Sequence, residues 1–410
     1  MTLTRGEGLM QWIICEVGFY GCVGSPVSDA SWSAESMVSQ AQKPMPRILV
    51  IDHRMVTPDR DAGSLRMWRL LEILRSLGWE VTYTTVDLGD TEPWVSRLLE
   101  MGVAVLRPPF NTSLKRHLRR QGATYDAVWL CRVSVARGLL NRVRKHCPRA
   151  KLIFDTVDLH FLREQRQAEL SNDAKAMKRA AETRIAELEV VRRVDATVLV
   201  SADEARLVQE VCPESDLRII SMIHDPLREV EDVEGRRGIL FVGGFEHRPN
   251  QDGAEWFVSE ILPRVRESLP DEPFWIVGSG ADRHMQDLVA PGVTVVGWVS
   301  ELDSIYSRSR ISVAPLRYGA GVKGKITQSL ARGVPCVATS MACEGMPLTH
   351  QKSVLIADDG ASFAAAVVRL YEDRELWRSL SANGLEVVAA HFSRDLARRQ
   401  VADLLEGAIG

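Results

Sequence analysis

The chain has 410 residues, too many for one ordinary hydrophobic core, and 45% hydrophobic against 26% charged residues is the balance of a globular protein of two or three domains. Its formal net charge of −3 gives no overall polycationic character, so no nucleic-acid partner is expected. Seven cysteines (Cys15, Cys22, Cys131, Cys147, Cys212, Cys336, Cys343) lack metal-ligand spacing and read as the reduced thiols of a cytoplasmic protein with no metal site.

No uninterrupted apolar run reaches the roughly 18 residues of a membrane span. The apolar stretch Leu9–Val23 is broken by Glu16, and the chain on to Lys43 is rich in Ser, Ala and Gln without a period. Residues 1–44 are expected to be a disordered or spurious extension, followed by a first domain over 45–224.

From Arg47 short β-branched runs alternate with amphipathic segments, the pattern of parallel sheets covered by helices. RILVID (Arg47–Asp52) is the first strand. Ser64 is the expected N-cap of the next helix, whose Met67, Leu70, Leu74 and Leu77 lie on one face until Gly78 ends it. Further strands are expected at Glu80–Thr85, Val103–Arg107, Asp126–Cys131, Lys151–Asp155 and Ala196–Ser201, with a long charged helix over about Ala174–Arg193. The composition shifts at Asp225–Arg237, DPLREVEDVEGRR, where the linker is placed. A second series follows over 238–390: Gly238–Gly244, Phe274–Ser279, Val293–Trp298, Ile311–Leu316, Pro335–Ser340 and Ser353–Ala357, then helices, with residues 391–410 as a C-terminal helix. The expected class is α/β: two Rossmann-like lobes whose parallel sheets face each other across a cleft, with the ligand at the carboxyl ends of the strands.

The second lobe carries the stronger chemical signal. After ISVAPL comes RYGAGVKGKITQS, in which Gly319, Gly321 and Gly324 let backbone N–H groups approach a ligand. A helix is expected from about Val322, its positive dipole end toward the cleft. Lys323 and Lys325 fall in its first turn, where cations are unfavourable unless an anion neutralises them; the plain alternative is a glycine-rich turn with two solvated lysines. Gln328 and Ser329 follow on that helix. A second loop, GGFEHRPNQDGAEWF, supplies Gly243, Gly244, His247, Arg248 and Asn250, with Asn250 also a candidate helix cap. Gly278 and the run Gly297, Trp298, Val299 mark two more glycine-bearing strand ends.

In the first lobe, Gly63 and Ser64 lie in a loop ahead of the first helix, Arg132 follows a strand, and DTVDLH (Asp155–His160) ends another with Asp158 and His160. His160 is a candidate for proton transfer or for a hydrogen bond to a substrate oxygen, against the plain structural role of most lone histidines. Between Lys115 and Lys151 stand Arg116, Arg119, Arg120, Arg132, Arg137, Arg142, Arg144, Lys145 and Arg149 against the single acid Asp126. This is either a solvated helical face or a surface that meets anionic lipid or a diphosphate-linked acceptor.

Together, FVGGFEHRPNQDGAEWF, the pair PFWIVGSG and VTVVGWV, APLRYGAGVKGKITQSLARGVPCVATSMACEGM and ELEVVRRVDATVLVSADEA make the chain from about Arg47 onward resemble the retaining GT-B glycosyltransferases of family 4 (glycosyl transferases group 1), in a GVKGK-type subgroup. The resemblance implies transfer of a sugar, with retention, from a nucleotide-sugar, UDP- or GDP-linked, to a glycan, polysaccharide or lipid-linked acceptor. It implies a role in cell-surface polysaccharide synthesis, without a required metal or other cofactor. The second lobe would bind the donor through Gly243, Gly244, His247, Asn250, Gly278, Gly297, Trp298, Val299, Gly319, Gly321, Val322, Lys323, Gln328 and Ser329. The first lobe would bind the acceptor near Gly63, Ser64, Arg132 and Asp158. His160, Lys325 and Arg248 would carry the chemistry, and the last helix would cross back to the first lobe. Peripheral contact with the inner-membrane surface would run through the basic residues of the first lobe.

The family's paired glutamates fall on Ala320 and Gln328, and its phosphate-contacting arginine on Gly244. Gln328 can still hydrogen-bond ribose hydroxyls, whereas the backbone amide of Gly321 must serve where Ala320 cannot, and Arg248 or Lys325 must replace the arginine. A nucleotide-sugar epimerase would want acid/base carboxylates near the sugar, which the second-lobe loops do not offer. A catalytically weak binding protein is favoured by the missing glutamates and opposed by Lys325 and His160. A two-lobed dehydrogenase would want a GxGxxG after the first strand, which is absent.

Overall fold

A computed structural model describes residues 45–87, 92–108, 113–288 and 290–408. The expected N-terminal extension, with Cys15 and Cys22, lies outside the described residues. Residues 45–410 form one compact unit. In chain order its first half is β1 (Arg47–Asp52), α1 (Ala62–Ser76), β2 (Glu80–Thr85), α2 (Trp94–Glu100), β3 (Ala104–Leu106), α3 (Leu114–Gln121), β4 (Ala127–Cys131), α4 (Val133–His146), β5 (Lys151–Asp155), α5 (His160–Ser171), α6 (Ala174–Val191), β6 (Ala196–Leu199), α7 (Ala202–Val211) and β7 (Leu217–Ile219). The second half begins with β8 (Arg237–Val242) and α8 (Arg248–Trp256), which runs through a π turn into α9 (Leu262–Ser268). It continues with β9 (Phe274–Val277), α10 (Ala281–His284), β10 (Val293–Gly297), α11 (Asp303–Arg308), β11 (Ser309–Ala314), α12 (Gly324–Ala331), β12 (Cys336–Ala338), α13 (Ser340–Cys343), β13 (Leu355–Ile356), α14 (Gly360–Glu372), α15 (Arg374–His391) and α16 (Arg394–Leu405).

The first sheet has the order β3-β2-β1-β4-β5-β6-β7 and the second β10-β9-β8-β11-β12-β13. Every pairing between named strands is parallel. These are the two Rossmann-like domains expected from the sequence. Strands such as ILVI in β1 are buried on both faces, as parallel strands covered by helices must be. Strand order reverses between β1 and β4 in one sheet and between β8 and β11 in the other. Ligands of open α/β sheets bind outside the strand carboxyl ends at such reversals. The helix α16 returns to the first domain: Ala397, Val401, Leu404 and Leu405 join its core, and Lys151 Nζ donates to the Leu404 carbonyl at 2.6 Å.

Three local expectations change. Asp61, not Ser64, caps α1: its carboxylate accepts the Ser64 N–H at 2.8 Å and the Ser64 hydroxyl at 2.9 Å, so Ser64 sits inside the first turn. Asn250 does not cap α8, which already begins at Arg248 because Pro249 suits its first turn. α12 starts at Gly324 rather than Val322, since Gly321 takes φ 68° and delays the helix.

Candidate functional site

The two helix N-termini nearest the strand reversals meet across the cleft. A Cβ added to Gly324, the first residue of α12, would lie 2.4 Å from the Ala62 Cβ at the start of α1, so only glycine permits the approach. The carboxyl-end loops of both sheets converge around this contact.

In the second domain, the loop after β11 carries Gly319 and Gly321. A side chain at Gly321 would meet the Asp158 Cβ at 3.0 Å in a left-handed backbone. Lys323 Nζ donates to the Ala320 and Gly321 carbonyls at 3.1 and 2.6 Å, bracing the loop, and is only 8% exposed. Lys325 Nζ donates to Asn250 Oδ1 at 2.7 Å and lies over the Phe241 ring. Asn250 Nδ2 donates to the Gly244 carbonyl at 2.7 Å. Asn250 therefore ties the loop after β8 to the lysine of α12, which is its role in place of capping.

Burial pushes Lys325 down to about 7, with the neighbouring Lys323 adding to the effect. Burial likewise lowers Lys323 to about 8, although the Glu344 and Glu204 carboxylates resist it. Among the described residues no carboxylate forms an ion pair with either lysine. Two neighbouring ammonium groups, one buried and one half-buried, are costly at a helix N-terminus unless an anion joins them.

Other expected donor residues distribute unevenly. Gly278 takes φ 138° because a Cβ there would overlap the Gly243 carbonyl, locking two glycine loops together. Trp298, after Gly297, donates its indole N–H to the Asp59 carbonyl across the cleft at 3.2 Å, and is 47% exposed. Val322 is buried in the second-domain core. Gln328 is half-buried on α12. Ser329 is a correction: it is fully buried, donates to the Val334 carbonyl at 2.7 Å and pairs with Ser312 on β11, because its side of α12 packs on the sheet. Arg248 is exposed, bonded to Gln251 at 3.2 Å, with His247 exposed beside it. At Gly244, a Cβ would lie 3.6 Å from the Arg60 carbonyl of the first domain, an ordinary contact with the opposing loop.

In the first domain, Arg132 and Val157 follow β4 and β5 with φ of 72° and 66°, unusual for any residue with a side chain and most for a β-branched one. A buried network holds this backbone. Asp155 accepts both Arg66 Nη1 contacts at 2.8 and 3.1 Å, the Trp129 indole at 3.0 Å and the Val157 N–H at 3.1 Å. Arg132 Nε donates to Asp52 Oδ1 at 3.1 Å. Gly63 leaves room for this guanidinium, 3.4 Å from its added Cβ.

His160 opens α5. Its Nδ1 lies 3.2 Å from the Asp158 carbonyl, 3.6 Å from an Asp158 carboxylate oxygen and 3.8 Å from Glu187 Oε1. Burial disfavours the imidazolium, but Glu187 and Asp158 outweigh it and raise His160 above its ordinary range. Asp158 also pairs with Arg163. Burial raises Asp158, yet Arg163, His160 and Arg132 together bring it below the usual carboxylate range.

Sequence reasoning missed Arg166, which crosses the cleft to the Gly319 carbonyl at 2.6 Å and to both Glu344 oxygens at 2.5 and 2.6 Å. The available signal was helical spacing: His160, Arg163 and Arg166 recur every third residue. Glu187 was missed as the carboxylate behind His160. It accepts the His160 and Phe161 N–H groups at 3.4 and 3.2 Å.

Two Rossmann-like domains closed over one site at their strand reversals define the GT-B fold. Residues 236–373 match the family model described as Glycosyl transferases group 1. An "uncharacterized 44.6 kDa protein in cps region" of Klebsiella pneumoniae is 24% identical over 163 residues, 38% of this chain, and the match spans 42% of that protein. Among solved structures, HepE of Anabaena in complex with UDP and glucose is 12% identical, with a TM-score of 0.66 covering 88% of this chain and 99% of that one. Sucrose-phosphate synthase of Thermosynechococcus elongatus is 16% identical, with a TM-score of 0.64 over 88% and 98%. TarM of S. aureus, in a complex with UDP and alpha-GlcNAc-glycerol, is 9% identical, with a TM-score of 0.67 over 88% and 100%. At these identities the likeness is one of fold. Among the described residues, no helix is long and apolar enough to cross a membrane.

Proposed function

We propose that the chain is a retaining, metal-independent glycosyltransferase that moves a sugar from a UDP- or GDP-sugar to a glycan, polysaccharide or lipid-linked acceptor in cell-surface polysaccharide synthesis. The observation that carries this reading is the pair Lys323, buried, and Lys325, half-buried, at the start of α12 without a carboxylate ion-pair partner among the described residues. A diphosphate supplies the missing anion. The match of residues 236–373 to Glycosyl transferases group 1, and the UDP in the HepE and TarM complexes, support it.

In this reading the bond between the sugar carbon and the diphosphate oxygen breaks as a new bond forms to the acceptor oxygen on the same face. The acceptor proton passes to the departing phosphate oxygen. Lys325, Lys323 and the free N–H groups of α12 stabilise the charge that grows on the diphosphate, which is where such transfers need most help. His160, holding its proton with Glu187 behind it, donates to a sugar hydroxyl. Gln328 faces the ribose, and Arg132 and Asp158 face the acceptor.

A thermal-shift panel of UDP-, GDP- and ADP-sugars tests the donor. A cognate sugar nucleotide at about 100 times its Kd adds about 2.7 kcal/mol and a clear rise in Tm. A flat response to all of them would sink the reading. His160→Ala is expected to lower turnover much more than nucleotide affinity, and unchanged turnover would remove His160 from the chemistry.

A further inference from the structure

A cavity lies on the first domain, at the strand-end edge of its sheet beside β2. It encloses about 220 Å³ among Thr84, Thr85, Val86, Leu106, Leu114 and Leu139. The Thr84 hydroxyl donates to the Leu106 carbonyl at 3.1 Å and that of Thr85 to the Asp87 carbonyl at 2.6 Å. With both threonine hydroxyls committed and the third hydroxyl of the lining, Ser113, capping α3 by accepting the Arg116 N–H at 3.3 Å, the lining is mainly apolar. Val86 is nevertheless 52% exposed, so the cavity opens to solvent beside an exposed apolar group.

Its lining also includes one cation, the exposed Arg142 of α4. Lys115, Arg116, Arg119 and Arg120 stand exposed on α3, the helix that begins with the lining residue Leu114. None of these five has an acidic partner among the described residues, unlike Arg144, which pairs with Asp195 at 2.7 Å. An apolar pocket beside several unpaired cations complements a chain that ends in phosphate.

The position links this pocket to the transfer site. Thr85 pairs directly with Asp52 in the sheet, and Asp52 holds Arg132. One strand spacing, about 5 Å, separates the Thr85 backbone from that of Asp52. The helix α4 starts after Arg132 and reaches the pocket through Leu139 and Arg142. A volume below the roughly 300–1,000 Å³ of a complete ligand site suits one end of a longer molecule.

We propose that this pocket holds the chain of a single prenyl- or alkyl-phosphate molecule, with Arg142 and the α3 cations on its phosphate. The inference rests on the transferase reading above, in which the first domain receives a lipid-linked acceptor. Binding is measured without any sugar nucleotide, so its failure leaves the donor assignment standing.

The test is calorimetry with monomeric geranyl phosphate, compared with geraniol, inorganic phosphate and phosphatidylglycerol vesicles. Geranyl phosphate is expected to bind at least about tenfold more tightly than geraniol or phosphate alone, since both halves of the site contribute. Val86→Trp, which narrows the opening, and Arg142→Glu should each weaken it by about fivefold or more while Tm stays unchanged. Both positions are exposed, so neither change removes a core contact. Displacement of geranyl phosphate by dodecyl phosphate on the unaltered protein provides a check independent of the variants. Equal affinity for inorganic phosphate, or for geraniol, would overturn the proposal. So would binding to vesicles alone, undiminished affinity in both variants, or no displacement.

Discussion

The two edges of the cleft solve opposite problems. On the second domain, backbone must come close to a ligand, and the edge is built from glycines: Gly278, Gly297, Gly319 and Gly321 all take positive φ. On the first domain, side chains must be aimed, and the positive φ values fall on Arg132 and Val157, which pay a steric penalty of about 1–3 kcal/mol each. Glycine makes its conformation cheaply by itself. Arg132 and Val157 hold theirs only because the Asp155 network and the Arg132–Asp52 pair fix the chain around them. One edge is shaped by residue choice, and the other by a buried support.

Removing that support should separate the two edges most clearly. Asp155→Asn leaves Arg66 buried without its counter-ion, since the two side chains are 0% and 1% exposed. Breaking a buried pair from one side costs about 3–5 kcal/mol. Chemical denaturation should show that loss. Sugar-nucleotide binding to the folded fraction should survive, because the lysine loop stands on the other sheet. A loss below about 1 kcal/mol would mean that the network does not hold the first edge.

The second edge should respond in the reverse sense. Lys325→Met removes a half-buried charge without a counter-ion, so the free protein should gain stability while nucleotide-diphosphate affinity falls by about 1–3 kcal/mol. The pH dependence follows from the same group. Its folded value near 7 lies below the ordinary 10.5, so the folded state binds fewer protons than the unfolded one between those limits. The stability of the parent relative to Lys325→Met should therefore rise as pH increases from about 7 to 10.5. Diphosphate affinity should fall over the lower part of that range as the free lysine loses its proton. Parallel pH profiles in parent and variant would remove Lys325 from the phosphate site.

The same contrast explains what was legible in the sequence. Strands β1, β2 and β5 fall on their expected residues because doubly covered strands are continuous apolar or β-branched runs. The glycine-lysine loop is legible because its function requires rare residue types close together. The long-range pairs that support the site are not. Arg66 and Asp155 are 89 residues apart, Lys325 and Asn250 are 75 apart, and Arg166 and Glu344 are 178 apart. Nothing local marks either member of such a pair. Ser329 was misplaced for a related reason: on a helix that packs its own sheet, one residue of phase separates the cleft from the core.

Arg166 is one of the places where the two edges touch, and it offers the smallest and most discriminating effect. Its guanidinium spans from α5 of the first domain to Glu344 and the Gly319 carbonyl of the second. Burial alone would raise Glu344, but the guanidinium beside it brings the carboxyl below its usual range. Both partners are partly exposed, at 18% and 35%, so solvent screening limits the pair to about 1 kcal/mol. Arg166→Ala should therefore barely change Tm and should weaken sugar-nucleotide binding only by a few-fold. Its distinctive effect should be on geometry: with one cross-cleft tie lost, small-angle scattering of the unliganded protein should report a larger radius of gyration. Exchanging the charges, Arg166→Glu with Glu344→Arg, tests whether the pair itself is responsible. The exchange should restore compactness if the ion pair closes the cleft. If Arg166 acts instead through the Gly319 carbonyl, which a glutamate cannot serve as donor, it should leave the protein open.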